Sequence, residues 1–560
     1  MGRPAPGAPV IPVSSTVVAG LTGLVWAAVA LARSGPIPPL YPDSGVFLRA
    51  MEAGAATPPD APVTGLVVPH HLLAADLIAR GFALAARRRP GRIVVLCPDH
   101  YSRGRTVFSV CGRDLASCLG PVAADRAGVA VLLRDPAVSV SNLFSHEHAL
   151  QALLPFMAHH FRGVPVLAVA IRAKAPPADW ERLTALLEGL VGPGALVVQS
   201  TDLSHGLPLH DAVRHDQETL RVLASEEPRA VGRLVQPRHL DGRGAMFVQM
   251  RLQCRRFGAR PLVVASRNSS EYVREPLTTV TTYALVVYGP AGLSIRHDPT
   301  FVFAGDTFTG RRMARLLSRD EQARQLIDRA VTLLRPATVV LNLEGVLLEH
   351  RFDSAGPLDL AMPGRSTLGL LSSLGVKAVV LANNHAGDFG ARARSRTRLA
   401  LERAGFTVVD DGQTRDLGPF HLTALTDLDN RHPERVALLD RDRIARLRRP
   451  APGKPWFAFV HWGQEWAVRP GPREEKLADL LEARGVELVI GCHSHTAGTL
   501  WLGGRSARLY SLGNFLFDQT DPRASGQLLE VRFFPQGTYA LRLRPIGNLY
   551  GDLLKRRAPR

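Results

Sequence analysis

The sequence predicts an α/β protein, with two layered α/β domains behind an N-terminal hydrophobic helix. Three observations carry this. Apolar runs of strand length alternate with amphipathic, Ala/Leu/Arg-rich stretches from about residue 37 to 290 and again from 300 to 548. Many of those runs stop abruptly at Asp, Asn, Glu or His. One stretch, "VIPVSSTVVAGLTGLVWAAVALAR" (10–33), has no charge before its last residue.

That first stretch is long enough to cross a bilayer core, which needs about 20 residues. It reads as a signal-anchor, placing the chain at the cell membrane by a single N-terminal pass. The triplet "ALA" (30–32) also fits a signal-peptidase site, so cleavage is the rival reading. Arg3 and Arg33 nearly balance, so orientation is weakly specified. The expected division is 1–36 for this segment and its Pro-rich link, 37–292 and 298–548 for the two domains, and 549–560 for a basic tail.

Composition narrows the partners. The formal net charge of +18 favours anionic partners such as phospholipid or polyanionic glycan. No basic stretch carries interleaved aromatics, so nucleic acid is not expected. The five cysteines include no CxxC pair and are odd in number, which indicates neither a disulfide framework nor a zinc ribbon.

In the second block five runs share one design. "FVFAGD" ends in Asp306, "TVVLNLEG" in Asn342 and Glu344, and "AVVLANNH" in Asn384 and His385. "WFAFVHWGQE" ends in His461 and Glu465, and "ELVIGCHSH" in His493 and His495. Sites in layered α/β folds gather at the carboxyl ends of strands. Five such ends predict one rim, and an extended His-x-His would put both rings on one side. Mixed oxygen and imidazole donors suit one or two divalent cations such as Mn, Fe or Zn. A carboxylate bridging two ions would clamp a phosphoryl group and activate water.

The motifs "GDTFTG", "NLEG", "NNHAGDFG", "HWGQEW", "GCHSHT" and "YSLGNFLFDQ" together resemble the CapA family. Its members are capsule or poly-γ-glutamate synthesis proteins with a calcineurin-like metallophosphoesterase fold. The resemblance implies Asp306, Glu344, Asn384, His461, His493 and His495 as metal-site positions, with Glu344 as the bridge. It implies His385 as general acid, with Asn514 near the substrate. The broader phosphoesterases open with Asp-x-His, whereas here Thr307 and Phe308 follow Asp306. CapA relatives share that departure, which puts fast hydrolysis in question.

The first block has its own strand ends. "VTGLVVPHH" ends in His70 and His71, "RIVVLCPDH" in Asp99 and His100, and "ALVVQSTDLSH" in Asp202 and His205. In "SHEHALQALLPF", His146 and His148 open a helix, with Glu147 suited to its N-terminus. With "LYPDSGVFLRAM" (40–51), these pieces resemble the Memo family (AmmeMemoRadiSam system protein B), related in fold to class III extradiol dioxygenases. The resemblance places His70, His100 and His205 at the family's histidine positions. The family's late Cys-Gly pair has its counterpart in "HLDGRGAM", with Asp241 where Cys would be. His70, His100 and Asp241 would then form a two-histidine, one-carboxylate iron site.

The leading expectation is a membrane-anchored protein of capsule or extracellular polymer synthesis. It would carry a phosphoesterase-like metal site and an accessory Memo-like domain. Its partners would be an anionic envelope polymer or phosphorylated intermediate and a polymer synthesis or export complex. The alternatives are a non-catalytic scaffold binding anionic polymer, and an iron-dependent redox or dioxygenase-like enzyme acting through the Memo-like domain.

Overall fold

The computed structural model describes residues 35–295, 300–318, 320–335, 337–348, 359–430, 438–503 and 506–555. They form mixed α/β sheets in two compact units. The first unit takes in 62–201 and 244–257, together with the chain up to residue 58. The second takes in 59–61, 202–243 and everything from 258 onward.

In the first unit the strands are β1 (Gly65–Val68), β2 (Arg92–Asp99), β3 (Phe108–Val110), β4 (Val138–Val140), β5 (Val166–Arg172) and β6 (Ala195–Ser200). They lie in the order β1-β6-β2-β5-β3-β4, parallel except where β3 meets β5. β1 and β6 are buried along their whole length, and β2 from its second residue. Helices on both faces of a parallel sheet require this, which is why these strands read as continuous Val/Leu runs rather than alternating ones.

The second unit opens with β7 (His205–Leu207), the helix Leu209–Ser225, β8 (Arg260–Asn268) and β9 (Val280–Gly289). β9 pairs antiparallel with both β7 and β8. Two larger sheets follow. The seven-stranded sheet uses β10 (Thr300–Thr307), β11 (Thr338–Leu343), β12 (Val376–Val380) and β13 (Thr407–Val409). The six-stranded sheet is centred on β14 (His421–Thr426), β15 (Trp456–His461), β16 (Leu488–Cys492) and β17 (Ala507–Leu509), all parallel. β18 (Asn514–Leu516), β19 (Gly526–Phe533) and β20 (Tyr539–Gly547) return to the first of these, giving the order β13-β12-β11-β10-β19-β20 with β18 beside β10.

Residue alternation along the strands builds four layers. Phe301 and Phe303 of β10 join Phe457 and Phe459 of β15 and Phe420 in a core shared by the two sheets. Val302 and Ala304 face the opposite way, against helix residues such as Leu326, Ala330 and Leu370. Trp456, Ala458 and Val460 of β15 likewise pack on Leu477 and Leu481 of the helix Pro472–Ala483. The period of two thus sends these phenylalanines inward between the sheets, and Val302, Ala304, Trp456, Ala458 and Val460 outward under the helices.

The expected membrane anchor is corrected. Among the described residues no helix is long and apolar enough to cross a membrane. The stretch 10–33 lies outside the described residues, so neither an apolar N-terminal helix nor a single-pass membrane location is supported. At the other end, Leu549–Lys555, at the start of the expected basic tail, form a helix with Leu549, Tyr550, Gly551 and Leu553 buried.

A candidate metal centre in the second unit

Seven sequence-predicted residues meet at one end of the two sheets. Asp306 stands near the carboxyl end of β10, and Glu344 directly follows β11. Asn384 and His385 open a short 3-10 helix after β12. His461 ends β15, while His493 and His495 follow β16. Donor atoms of Asp306, Glu344 and His495 lie within 4.8 Å of one another, as do those of Glu344, His461 and His493. Glu344 belongs to both sets.

The geometry is tight. His495 Nδ1 lies 3.4 Å from Asp306 Oδ2, and His493 donates its backbone N–H to the same oxygen at 3.1 Å. His461 Nε2 is 2.8 Å from Asn384 Oδ1, 3.2 Å from His493 Nδ1 and 4.0 Å from Glu344 Oε1. The two histidines after β16 are not in extended backbone. His493 has φ 98° and His495 φ 55°, so β16 has already ended at Cys492. Left-handed backbone at non-glycine residues costs on the order of 1–3 kcal/mol, and such strain concentrates at functional sites. Their ring centroids stand 6.1 Å apart.

Glu344 tests whether a cation fits. It is fully buried, and neither carboxylate oxygen has a hydrogen-bond partner among the described residues. Burial, and then the neighbouring Asp306 carboxylate, push its pKa well above the ordinary carboxylate value. Burial and then His493 pull His461 well below the usual imidazole value, and burial brings His493 down to about 3. Acids pushed up and bases pushed down are both relieved by one thing, a positive ion that takes lone pairs from both. The donor set therefore suits a divalent metal.

Several side chains that complete the site were missed as site residues. Asp388 accepts from His385 Nδ1 at 2.8 Å, and His385 Nε2 lies 3.7 Å from Glu344 Oε1. Asn342 donates to Asp306 Oδ1 at 2.8 Å, and Asn383 donates to Asn342 Oδ1 at 3.0 Å. The signal was present in "NNHAGDFG" and "NLEG" for Asn383 and Asn342, which end buried runs, and not for Asp388, which follows the 3-10 helix Asn384–Gly387. Asn514, expected near a substrate, holds His495, with Oδ1 2.8 Å from Nδ1. Phe308, at the position of the missing ligand histidine, is fully buried against Phe517 in the helix-side core.

Comparison with known proteins fits both units. The family described as Memo-like protein matches residues 47–287. The family described as bacterial capsule synthesis protein PGA_cap matches 300–417 and 421–519. The chain joins a Memo-like domain to a PGA_cap domain. The capsule biosynthesis protein CapA of Bacillus anthracis is 25% identical over 210 residues, 33% of this chain and 51% of the relative. The PGA biosynthesis protein CapA of Bacillus subtilis (strain 168) is 23% identical over 267 residues, 44% of this chain and 70% of the relative. A MEMO1 family protein of Thermotoga sp. (strain RQ2) is 27% identical over 171 residues, 30% of this chain and 62% of the relative. The chain thus spans only 51% of the Bacillus anthracis relative and 62% of the Thermotoga one.

In the Memo-like domain the sequence-predicted set is divided between the compact units. His70 and His100 belong to the first, and His205 and Asp241 to the second. His205 Nε2 lies 3.7 Å from Asp241 Oδ2. His70 is 2% exposed, and its ring centroid stands 5.0 Å from that of His100. Glu147, expected at a helix N-terminus, caps the short helix His148–Gln151 by accepting from Ala149 N–H.

Proposed function

We propose that the PGA_cap domain is a metal-dependent phosphoesterase of capsule or poly-glutamate-type polymer synthesis, with a calcineurin-like four-layer sandwich as its scaffold. The observation that carries this is Glu344, a fully buried carboxylate with no hydrogen bond among the described residues, shared by two donor sets. Asp306, Glu344 and His495 would hold one ion; Glu344, His461, His493 and Asn384 a second. Mn, Fe and Zn all suit these donors. Such an ion supplies charge neutralisation for a phosphoryl group and a water of lowered pKa.

The chain's own residues then have clear tasks. Asp388 fixes His385 through Nδ1, which turns Nε2 toward the Glu344 carboxylate. A protonated His385 is thereby aimed where a leaving oxygen would sit, and serves as general acid. Asn342 and Asn383 lock Asp306 by a relay of two hydrogen bonds. The substrate class would be an anionic envelope polymer or its phosphorylated intermediate, suited to a chain of net charge +18 and to the names of its CapA relatives. A polymer synthesis or export complex is the proposed setting.

The test is hydrolysis of bis(p-nitrophenyl) phosphate by the full chain after loading with Mn or Zn. His385→Ala is expected to lower turnover by about 10²–10⁴-fold with metal content unchanged. Equal turnover in wild type and variant, or none in either, would defeat the catalytic reading. A second reading, an anionic-polymer binder without turnover, is favoured by one feature. Phe308 is packed into the helix-side core where the broader phosphoesterases have a ligand histidine.

A further inference from the structure

A cleft of about 1070 Å³ opens in the second unit, at the end of the six-stranded sheet remote from the metal centre. Trp456 begins β15 and lines the cleft, whereas His461 ends the same strand among the metal-site residues. The rise along that strand separates the two by roughly 17 Å. Glu487, just before β16, also lines the cleft. The facing wall is the helix Leu209–Ser225, which lies within the Memo-like match. A pocket for one small ligand takes about 300–1,000 Å³, so this cleft has room for several units of a chain.

The wall across from that helix has one sign of charge. The segment "RIARLRRPAPGKPW" (443–456) holds Arg443, Arg446, Arg448, Arg449 and Lys454 and no acidic residue. Arg449 and Lys454 line the cleft and are exposed. The Arg449 side chain makes no ion pair or hydrogen bond among the described residues. Arg484, also on the cleft, donates to the Leu447 carbonyl, and its buried Nε has no hydrogen-bond partner among the described residues. The carboxylates of the lining are already engaged. Glu218 accepts from His239 Nε2 at 2.8 Å, Glu482 accepts from Ser506 and Arg508, and Glu487 lies 3.9 Å from Arg221. Between these groups the walls are apolar, with Leu209 (43% exposed) and Val213 on the helix and Pro450 and Pro452 across from them.

We infer that this cleft is a second binding site, separate from the metal centre, for an extended polycarboxylate chain of the poly-glutamate kind. A guanidinium presents paired donors that match the two oxygens of a carboxylate, and Arg449 has no carboxylate to hold among the described residues. The mixed lining selects sparse rather than dense charge. Glu218, Glu482 and Glu487 repel a sulfated glycan or a polyphosphate, whose charges crowd together. A glutamate chain spaces its carboxylates and lays methylenes between them, against Leu209, Val213 and the prolines. A concave site also takes a chain rather than the plane of a membrane. Because a helix of the Memo-like match supplies one wall, a PGA_cap domain without that helix lacks the site. The polymer class rests on the polymer-synthesis setting proposed above, whereas the site does not rest on phosphoester hydrolysis.

The test is fluorescence anisotropy of a labelled γ-linked glutamate decamer titrated with the full chain at low and moderate salt. Saturable binding that weakens as salt rises is expected. Arg449→Gln combined with Lys454→Gln, both at exposed positions, should weaken it about tenfold. Val213→Trp, which fills the cleft without changing its charge, should weaken it by a similar factor. The Asp306→Asn/Glu344→Gln chain, disabled at the metal centre, should bind as wild type does. The same decamer with its carboxylates amidated should not bind. No binding of the decamer, equal affinity in either cleft variant, equal affinity for the amidated chain, or a loss confined to the metal-centre variant would overturn the site. Tighter binding to phosphatidylglycerol vesicles, lost in the same cleft variants, would assign the cleft to a membrane surface and overturn it as well.

Discussion

At the scale of single residues, two buried carboxyls make opposite statements. Glu344 lies within 4.8 Å of imidazole and carboxylate donors that would share an ion with it, yet makes no hydrogen bond among the described residues. A ligand that binds only the folded state stabilises it by about 2.7 kcal/mol at a hundredfold excess over Kd. Thermal unfolding of wild type is therefore expected to shift upward on adding Mn or Zn, and that of Glu344→Gln is not. An equal shift in both would remove Glu344 from the ligand set. Asp216, on the helix Leu209–Ser225, instead accepts from Ser204 and Thr282 hydroxyls at 2.8 and 2.7 Å. Burial outweighs those bonds and brings its pKa up from 3.8 to about 7. The folded state thus holds the proton more tightly than the unfolded chain. Stability from this group is complete below about pH 3.8 and is lost as pH rises through about 7. Asp216→Asn is expected to flatten that slope, and to be more stable than wild type at pH 8 by on the order of 1–4 kcal/mol. Urea unfolding at pH 5 and pH 8 checks it, and parallel slopes would contradict it.

At the scale of elements, the strand ends were legible because a buried run cannot stop at Asp, Asn or His without a partner for it. Asp306, Glu344, His461 and His493 were all visible in that way. The left-handed backbone of His493 and His495 was not, because nothing in "GCHSH" marks where the strand stops. His148 was read only as opening a Leu/Ala helix face, and its ring neighbours His70 and His100 follow β1 and β2. Phe308 lies just beyond the end of β10 and packs in the helix-side core, and β10 itself carries a bulge just before Asp306. That bulge sits between Ala304 and Asp306, at Gly305. A Cβ on Gly305 would stand 1.9 Å from the Gly513 carbonyl oxygen, a backbone atom that cannot step aside. Gly305→Ala is expected to cost about 1–3 kcal/mol or more and to lower metal content, because Asp306 is the next residue. Denaturant unfolding with metal analysis on the same sample checks both, and an unchanged midpoint with full metal would contradict it.

At the scale of the whole molecule, the family boundaries and the compact units differ. The Memo-like match ends at 287, yet residues 202–243 and 258–287 cluster with the PGA_cap region. Within the second unit, Gln217 exchanges two hydrogen bonds with the Tyr539 backbone, each of 2.8 Å. Arg532 donates to the Val263 carbonyl at 2.7 Å, and Arg542 donates to those of Leu293 and Ala291, also at 2.7 Å. Sequence composition carries no trace of such long-range pairing, so the joining of the two families was legible in the motifs and this physical seam was not. The fusion therefore has to be tested as one chain. The most direct measurement is metal content by mass spectrometry of the full wild-type chain beside Asp306→Asn/Glu344→Gln, both loaded and dialysed alike. A loss of one to two ions per chain in the variant is the expected result. Equal metal in the two proteins would contradict a metal centre at the strand ends of the PGA_cap domain.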